Sequence, residues 1–476
     1  MCGSTLKATP SNHIRAMQNV SIPRRRFLEV SLAGLAGLPM AALALAGEQS
    51  GRRARAKACI LLYMDGGPSQ LDLWDLKPDA PAEIRGPWRP IETTAGGITI
   101  GEHLPLVARQ MHRLTLVRSL SHQEMVHDPA VYQMITGHKH ISSAGGLEVE
   151  ETDAPQIGAA FAKADISPAV MPKAIELPEI MRMGARTLPG QNGGYLGATS
   201  DPFRVELMSD AESGTLVHKA DLGLRHELTR QRLMRFGSLV SRLNGELCRV
   251  QGCAAPDQFA ACQRQALEIL AAPTVEAAFE LEREPPAMRE RYGLDRHGQS
   301  VLLARRLVEA GARFVTVYWG KQMQDWADGK GQQLANNPWD THRNHFPLVK
   351  DQLLPPADRA LAALVEDLDD RGMLDETLVV WMGDFGRTPR ISKPFASRDH
   401  WPAAFSIVIA GAGLPRGAVY GKTDRHAAEV VEDRVSPADL TATVFHLLGV
   451  DPTTTLAGAD GRRYPLSTGR PVAGLV

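Results

Sequence analysis

The chain has 476 residues, of which 43% are hydrophobic and 22% charged, a composition typical of a folded globular protein. Its 53 Lys and Arg residues balance 54 Asp and Glu residues. The resulting net charge of −1 excludes a nucleic-acid-binding protein that depends on an excess of positive charge. The five cysteines are too few for a fold that is held together by disulfides.

The first part of the chain predicts an export signal. Three arginines at 24–26 precede an apolar, Gly- and Ala-rich stretch at 30–46, which ends in the small residues of a cleavage site. We interpret 1–46 as a twin-arginine signal peptide. This interpretation implies the twin-arginine export machinery as a partner and a periplasmic or extracellular location. A membrane anchor is the alternative, but the stretch is short for a bilayer, so no stable span is expected after cleavage.

Removal of 1–46 would also change the charge of the protein. This segment carries five basic residues and one acidic residue, so the remaining chain has a net charge of −5. The near-neutral balance of the whole sequence therefore hides an acidic mature protein.

Apolar runs and amphipathic segments alternate along the rest of the chain. The runs predict buried strands, and the amphipathic segments predict helices. The predicted strands are 58–64, 114–117, 313–318, 377–382 and 405–410, and the predicted helices are 299–310, 356–371 and 436–448. This alternation predicts an α/β fold with a mainly parallel sheet flanked by helices.

One segment differs from the rest. Residues 211–290 are charged and helical in pattern, with several prolines as breaks. We interpret 206–294 as a helical insertion or cap, so that 47–205 and 295–476 form the α/β core.

Two aspartates follow predicted strands directly, each in a turn that contains glycine. Asp65 comes after the strand at 58–64, and Asp384 comes after the strand at 377–382. In sheets of this class ligands bind at the carboxyl ends of the strands, where the loops converge. The two carboxylates together therefore predict a site at this edge.

Two further loops add carboxylate and imidazole groups. The loop after the strand at 313–318 contains Asp340, His342 and His345, and the loop before the last strand contains His400. Carboxylates mixed with imidazoles are typical ligands of Zn, Mn or Fe and, with fewer histidines, of Mg or Ca. The sequence thus predicts a metal site that is built from four loops.

Several motifs carry a family resemblance. They are DGGPSQLD from Asp65, KPDAPAEIRG from Lys77, WDTH up to His342, GDFGRTP around Asp384 and RDHWP around His400. Together they resemble a large bacterial exported family, catalogued as domain of unknown function 1501, within the alkaline phosphatase/sulfatase superfamily. The resemblance covers nearly the whole mature chain and implies an alkaline phosphatase-like core of three layers.

The resemblance also implies metal ligands and a substrate class. The superfamily pattern would place one or two divalent ions (Zn, Mn, Mg or Ca) and an anionic ester at this site. The implied ligands are Asp65, Asp340, His342 or His345, Asp384 and His400.

The chain departs from the superfamily pattern in two places and also lacks the motif of the sulfatase variant. The Asp-His pair of the pattern is Asp384-Phe385 here, so one imidazole ligand is missing. His127-Asp128 stand where a Ser or Thr nucleophile is expected. The sulfatase motif Cys-x-Pro/Ala-x-Arg does not occur in the sequence. A covalent Ser or Thr intermediate is therefore not expected.

The resulting hypothesis is an exported metal-dependent hydrolase or transferase of phosphate or sulfate esters, in which metal-bound water attacks. His127 or His122 would move a proton, complete the metal shell or act as an unusual nucleophile. Arg118 and Arg387 would pair with the anionic group. The missing nucleophile and imidazole motivate the alternative, a non-catalytic exported binding or scaffold protein that keeps the fold and part of the metal site.

Overall fold

The computed structural model describes residues 54–209, 216–218, 272–319, 338–393 and 396–476, with single positions between 232 and 246. The predicted signal peptide at 1–46 and most of the predicted insertion at 206–294 lie outside the described residues. The export signal and the domain boundaries therefore stay predictions.

A central sheet organises the described part of the chain. Its eight strands are β1 (Ala58–Met64), β2 (Leu114–Leu120), β3 (Ala174–Leu177), β4 (Phe203–Arg204), β5 (Phe314–Tyr318), β6 (Thr377–Gly383), β7 (Phe405–Ala410) and β8 (Ala418–Tyr420). Their order across the sheet is β8-β2-β7-β6-β1-β5-β3-β4. Seven of these strands run in one direction and β7 runs in the other.

Helices cover both faces of the sheet. They are α1 (Pro105–Gln110), α2 (His127–Thr136), α3 (Ile157–Ala164), α4 (Pro273–Phe279), α5 (Pro286–Tyr292), α6 (Arg296–Glu309), α7 (Leu354–Asp370) and α8 (Pro437–Leu447). Helices α1 and α4 to α7 share one apolar cluster with alternate residues of β1, such as Ile60 and Leu62. Helices α2, α3 and α8 share the other cluster with Leu61 and Tyr63.

This arrangement explains why β1 is apolar throughout. Successive side chains of a strand point to opposite faces, and both faces of β1 are covered, so all seven of its residues are buried. The three layers confirm the predicted fold class, a mainly parallel α/β sheet flanked by helices.

Short elements complete the described chain and position several loops. Short helices lie at Gln70–Leu73, Ala82–Arg85 and His345–Leu348. Two-stranded ribbons pair Pro90–Glu92 with Thr99–Gly101, Arg182–Met183 with Arg186–Thr187, Leu207–Ser209 with Leu216–His218, Gly386–Arg387 with His400–Trp401, Lys422–Thr423 with Val430–Glu432, and Thr455–Ala457 with Arg463–Pro465. The ribbon of Gly386–Arg387 with His400–Trp401 joins two of the loops that the sequence singles out.

The end of the predicted insertion packs on the core. Helices α4 and α5 contribute Val275, Phe279 and Tyr292 to the same apolar cluster as α6 and α7. Among the helices in the described residues, none combines the length and the apolar character that a bilayer crossing requires.

A buried histidine in α6 predicts a pH-dependent stability. His297 is 1% exposed, its ring centroid lies 4.2 Å from that of Trp319, and burial lowers its pKa to about 3. An unfolded histidine titrates near pH 6.5, so the unfolded chain binds a proton on acidification that the folded chain does not, and stability falls below pH 6.5.

Between pH 6.5 and pH 4.5, we expect the unfolding free energy of the wild type to fall by about 2 kcal/mol more than that of His297→Phe. Urea unfolding of both proteins at the two pH values measures this difference. Equal losses for the wild type and the variant would show that His297 is charged in the folded state.

Candidate metal centre

Five chain segments meet at one edge of the sheet. Strands β1 and β6 end there and are followed by Asp65 and Asp384, and α2 begins there at His127. The segment that carries Asp340 lies beside Asp65, since the Trp339 N–H donates to the Asp65 carbonyl at 3.1 Å. The loop that carries His400 reaches the same edge because β7 is antiparallel to its neighbours and begins where they end. In a purely parallel sheet, the loop before a strand would lie at the opposite edge.

Three side chains at this edge form a candidate metal site. Ligand atoms of His127, Asp340 and His400 all lie within 4.8 Å of one another, the one such group among the described residues. The Asp340 Oδ2 atom is 3.2 Å from His127 Nε2, and Asp340 Oδ1 is 3.0 Å from His400 Nε2. Two imidazoles and one carboxylate therefore converge on one point.

The second nitrogen of each imidazole is held by a group that only accepts hydrogen bonds. His127 Nδ1 donates to Asp384 Oδ2 at 2.6 Å, and His400 Nδ1 donates to the carbonyl oxygen of Met125 at 2.8 Å. Such contacts leave Nε2 of each ring as the atom that can bind a metal. The buried His127 Nε2 has Asp340 Oδ2 at 3.2 Å, but no described residue makes a hydrogen bond of good geometry to it. The residues therefore fit a divalent cation.

The charges of the centre fit a cation as well. Burial raises the pKa of Asp340, but His127, His342 and His400 lower it more, so the net shift is well below the usual range. Burial lowers the pKa of His127, but Asp340 and Asp384 raise it to about 9. Without a metal, a protonated His127 thus supplies the positive charge that a cation would supply.

His342 lies at the exposed side of the centre. Its side chain is 40% exposed, and its Nε2 atom is 2.8 Å from His400 Nε2 and 2.9 Å from Asp340 Oδ1. Its Nδ1 atom is 2.9 Å from Asp399 Oδ1, a contact that orients the ring. Hydrogen bonding to Asp340 raises the pKa of His342.

Asp65 and Asp384 lie beneath the three-residue group. Asp384 accepts a hydrogen bond from the Gly66 N–H at 3.1 Å with the oxygen that does not contact His127. In the described part of the chain, nothing donates to the buried Asp65 Oδ1. Burial and the nearby Asp384 charge raise the pKa of Asp65 well above its usual range. The structure thus places Asp384 behind His127.

Phe385 occupies the space next to the imidazoles. Its ring centroid lies 5.0 Å from that of His127 and 4.4 Å from that of His400. The phenyl ring is buried, so it excludes water from this side of the centre. A Cβ atom at Gly67 would lie 2.7 Å from this ring, and for that reason only glycine fits there.

His122 binds main-chain groups rather than the three-residue group. Its Nδ1 atom accepts the Glu124 N–H at 3.0 Å, so its Nε2 atom carries a proton and donates to the Asp384 carbonyl at 2.7 Å. Burial lowers the pKa of His122. These contacts fix the loop that carries Asp384.

Arg387 is fully buried and directs its guanidinium at protein acceptors. Its Nη2 atom donates to the Trp339 carbonyl at 2.7 Å and to Asp340 Oδ1 at 3.0 Å, and also to the Gly66 carbonyl. Its Nε atom donates to the Gly67 carbonyl at 2.9 Å. Arg387 therefore ties three segments of the centre together and has little left to offer a substrate.

Arg118 contacts a different part of the protein. Its Nε atom donates to the Trp74 carbonyl at 3.0 Å and lies 3.4 Å from Asp75 Oδ1. Neither partner belongs to the three-residue group, so the structure does not bring Arg118 into the centre.

His345 belongs to a second buried cluster. Its Nε2 atom is 3.0 Å from Asp72 Oδ2, and its Nδ1 atom is 2.6 Å from the hydroxyl oxygen of Thr341. Arg398 donates to both oxygens of Asp72, at 2.8 Å and 3.0 Å. Both ring nitrogens of His345 are thus engaged away from Asp340.

A family model described as "Protein of unknown function (DUF1501)" matches residues 56–476. The chain belongs to this family. The match confirms the family that the motifs predict. A comparison with curated proteins gives no match for this DUF1501 protein.

Similarity to solved structures is distant. A sulfatase, PsFucS1 from Pseudoalteromonas sp., is 13% identical, with 90% of this chain and 72% of that chain covered and a TM-score of 0.38. The C-terminal periplasmic domain of EcEptC from Escherichia coli, in complex with Zn, is 12% identical, with 90% and 93% covered and a TM-score of 0.36. A phosphonate monoester hydrolase from Silicibacter pomeroyi is 13% identical, with 89% and 77% covered and a TM-score of 0.35. Scores this low say nothing about individual residues of the centre.

The structure adds contacts that the sequence analysis of this DUF1501 protein missed. Asp399 orients His342, and the main-chain carbonyl of Met125 orients His400. The position of Asp399 beside His400 in the RDHWP motif is a signal for the first contact. A carbonyl contact leaves no such signal, because every residue has this group.

The separation of the two clusters predicts different effects for two histidines. We expect His400→Gln to weaken Zn²⁺ binding by at least about 10-fold, and His345→Gln to change it by less than about threefold. We expect His345→Gln to lower the melting temperature, because it removes a ring that is hydrogen-bonded between Asp72 and Thr341. Zinc titration by calorimetry and thermal unfolding check both effects. Equal losses of Zn²⁺ affinity would place His345 among the ligands.

Proposed function

We propose that the protein is a metal-dependent hydrolase of phosphate or sulfate esters, with one divalent cation held by His127, Asp340 and His400. The observation that carries this proposal is the convergence of three ligand atoms within 4.8 Å. Three protein ligands with an open fourth position are typical of catalytic rather than structural zinc sites. The motif resemblance to the alkaline phosphatase/sulfatase superfamily supports the ester class.

The ligand types favour Zn²⁺ among the four predicted cations. Two imidazoles suit Zn²⁺ better than Mg²⁺ or Ca²⁺, which prefer oxygen ligands. Phe385 stands where the superfamily pattern has an imidazole, and its ring packs on two of the three ligands. This supports one ion rather than two.

The residues around the centre have separate roles in this proposal. When bound, the cation would polarise an ester oxygen and activate water. Asp384 orients His127, and Arg387 holds Asp340 in place. His342 is half exposed and directs Nε2 toward the centre, where it would hydrogen-bond an incoming ester oxygen.

The first residue of α2 argues for hydrolysis without a covalent intermediate. His127 stands at the position where a Ser or Thr nucleophile is expected, and its ring is held between Asp384 and Asp340. An imidazole fixed on both sides is well placed to bind a cation and badly placed to attack an ester. Export by the twin-arginine route, with periplasmic or extracellular action, belongs to the same proposal.

The deciding experiment combines metal analysis with two assays. Protein exported in its native host is expected to contain about one Zn²⁺ per chain and to hydrolyse 4-nitrophenyl phosphate or 4-nitrophenyl sulfate. A chelator is expected to abolish the activity, and added Zn²⁺ to restore it. Metal-loaded protein that is inert toward both esters would favour the alternative of a non-catalytic binding protein. Metal-free protein from the host that is folded and inert toward both esters would overturn the proposed enzyme.

A further inference from the structure

Two exposed apolar side chains border the polar centre. Met125 is 51% exposed and Val126 is 37% exposed. The carbonyl of Met125 accepts the hydrogen bond from His400 Nδ1, and Val126 directly precedes His127. Met125 therefore contacts the proposed ligand His400 through its carbonyl, and Val126 is next in sequence to the proposed ligand His127.

A neighbouring loop carries a third exposed apolar side chain. Near the start of the loop at 138–147, the Lys139 Nζ atom is 3.3 Å from Glu124 Oε1. Further along, a Cβ atom at Gly145 would lie 3.2 Å from Val126 Cγ1. Between these two contacts lies Ile141, which is 97% exposed. We name Met125, Val126 and Ile141 the apolar rim.

Asp128 fixes the end of this loop. Its buried carboxylate accepts hydrogen bonds from the N–H groups of Gly146 and Leu147 at 2.6 Å and 2.9 Å. Arg186 Nη2 is 2.7 Å from the same oxygen, and Arg186 Nη1 donates to the carbonyl of Leu147. The end of this loop is therefore fixed beside the first turn of α2.

The side chains beside the apolar rim carry negative charge, which disfavours binding of a polyanion. Glu148, Glu150 and Glu151 are exposed on the segment that follows the loop, and the charge of Lys139 is paired with Glu124. An anionic membrane or a nucleic acid would be repelled there. An uncharged apolar group would not.

We infer that the apolar rim binds the apolar group of an amphiphilic ester, whose phosphate or sulfate head lies at the metal centre. The inference rests on the proposed function, since the head group needs the cation. The substrate class is then an alkyl or aryl phosphate or sulfate ester rather than a small polar one or a charged polymer.

Non-hydrolysable anions of increasing chain length test the inference. Methyl-, butyl- and octylphosphonate, with the matching alkylsulfonates, are titrated into Zn²⁺-loaded full-length protein by calorimetry. A fully buried methylene contributes about 0.8 kcal/mol, so half-buried methylenes from butyl to octyl should tighten binding by about tenfold. The two head groups distinguish a phosphate-ester site from a sulfate-ester site.

Two matched variants locate the effect. Ile141→Asn is expected to reduce the octyl-to-methyl affinity ratio by at least about threefold. Ile166→Asn is the control, because Ile166 is 95% exposed on another loop, and it is expected to keep the wild-type ratio. Both side chains are exposed, so neither variant should fail to fold.

The outcomes separate this inference from the proposed function. Equal affinity for methyl and octyl anions in Zn²⁺-loaded protein would contradict binding of the alkyl group at the apolar rim, but it would be consistent with the proposed metal centre. Failure of all six anions to bind overturns the proposed function and the rim with it. A wild-type dimer that Ile141→Asn dissociates, without an octyl preference, would assign the rim to a second copy of the chain instead.

Discussion

Asp340→Asn is expected to abolish metal binding in a protein that still folds. The substitution keeps the size of the side chain and removes its negative charge. Both oxygens of Asp340 face the centre, where they lie 3.2 Å from His127 Nε2 and 3.0 Å from His400 Nε2. Loss of an outer contact alone typically costs 10–100-fold in metal affinity, so loss of a ligand charge should cost more than about 100-fold.

The same substitution should remove ester hydrolysis, because the proposed reaction depends on the cation. Zinc titration by calorimetry and metal analysis of purified protein measure the first effect, and release of 4-nitrophenol measures the second. Circular dichroism checks that the variant is folded. A variant with wild-type Zn²⁺ content would contradict the assignment of Asp340 as a ligand.

Asp399→Asn is the matched control for this prediction. Asp399 is also a carboxylate beside the centre, but its side chain is 60% exposed and contacts only the outer nitrogen of His342. We expect it to lower Zn²⁺ affinity by less than about 10-fold, because Asp399 orients His342, which is not one of the three proposed ligands. The difference in Zn²⁺ affinity between the two variants therefore measures the effect of the carboxylate charge of Asp340.

The fold could be predicted from the sequence wherever a strand was long and apolar. The strands at 58–64 and 405–410 were predicted with the bounds that the structure has, since continuous apolar runs indicate strands buried on both faces. The two edge strands Phe203–Arg204 and Ala418–Tyr420 and the short inner strand Ala174–Leu177 were missed, because runs of two to four residues carry little pattern. The reversed direction of Phe405–Ala410 was also invisible, although it brings His400 to the correct edge.

The candidate centre could be predicted as a set of loops but not as a set of contacts. Residue type and strand position singled out Asp340 and His400, which the structure brings together. The same reasoning does not separate His342 from His345, which are three residues apart and lie in different clusters. The direction of a side chain in a loop depends on local turns and on distant partners such as Asp72, which a motif does not reveal.

For Arg387 as well, the motif does not reveal which groups the side chain contacts. An arginine in a Gly-rich motif next to carboxylates predicts recognition of an anion, because the guanidinium matches an oxyacid group. In the structure its guanidinium donates to Asp340 and to four main-chain carbonyls, those of Gly66, Gly67, Trp339 and Arg398. We therefore propose that it positions the centre, and this role has a measurable consequence.

Arg387→Met is expected to destabilise the protein by about 3–5 kcal/mol, which is the usual cost of breaking a buried ion pair by removing one partner. The variant would leave the carbonyls of Gly66, Gly67 and Trp339 without this hydrogen-bond donor. It would also leave Asp340 without the positive charge of the guanidinium. Arg387→Lys keeps the charge, but one ammonium cannot replace a planar fork of donors that binds several acceptors, so an intermediate loss is expected.

Urea unfolding measures the change in unfolding free energy, and zinc titration shows whether the centre is still formed. Arg390→Met is the control, because the Arg390 side chain is 75% exposed and close to the same turn in sequence; a change of less than about 0.5 kcal/mol is expected there. If Arg387→Met were as stable as the wild type, bound Zn²⁺ normally and lost only ester hydrolysis, Arg387 would act on the substrate. A loss of stability together with weaker Zn²⁺ binding instead means that three chain segments depend on this guanidinium to reach the geometry in which Asp340 can hold a cation.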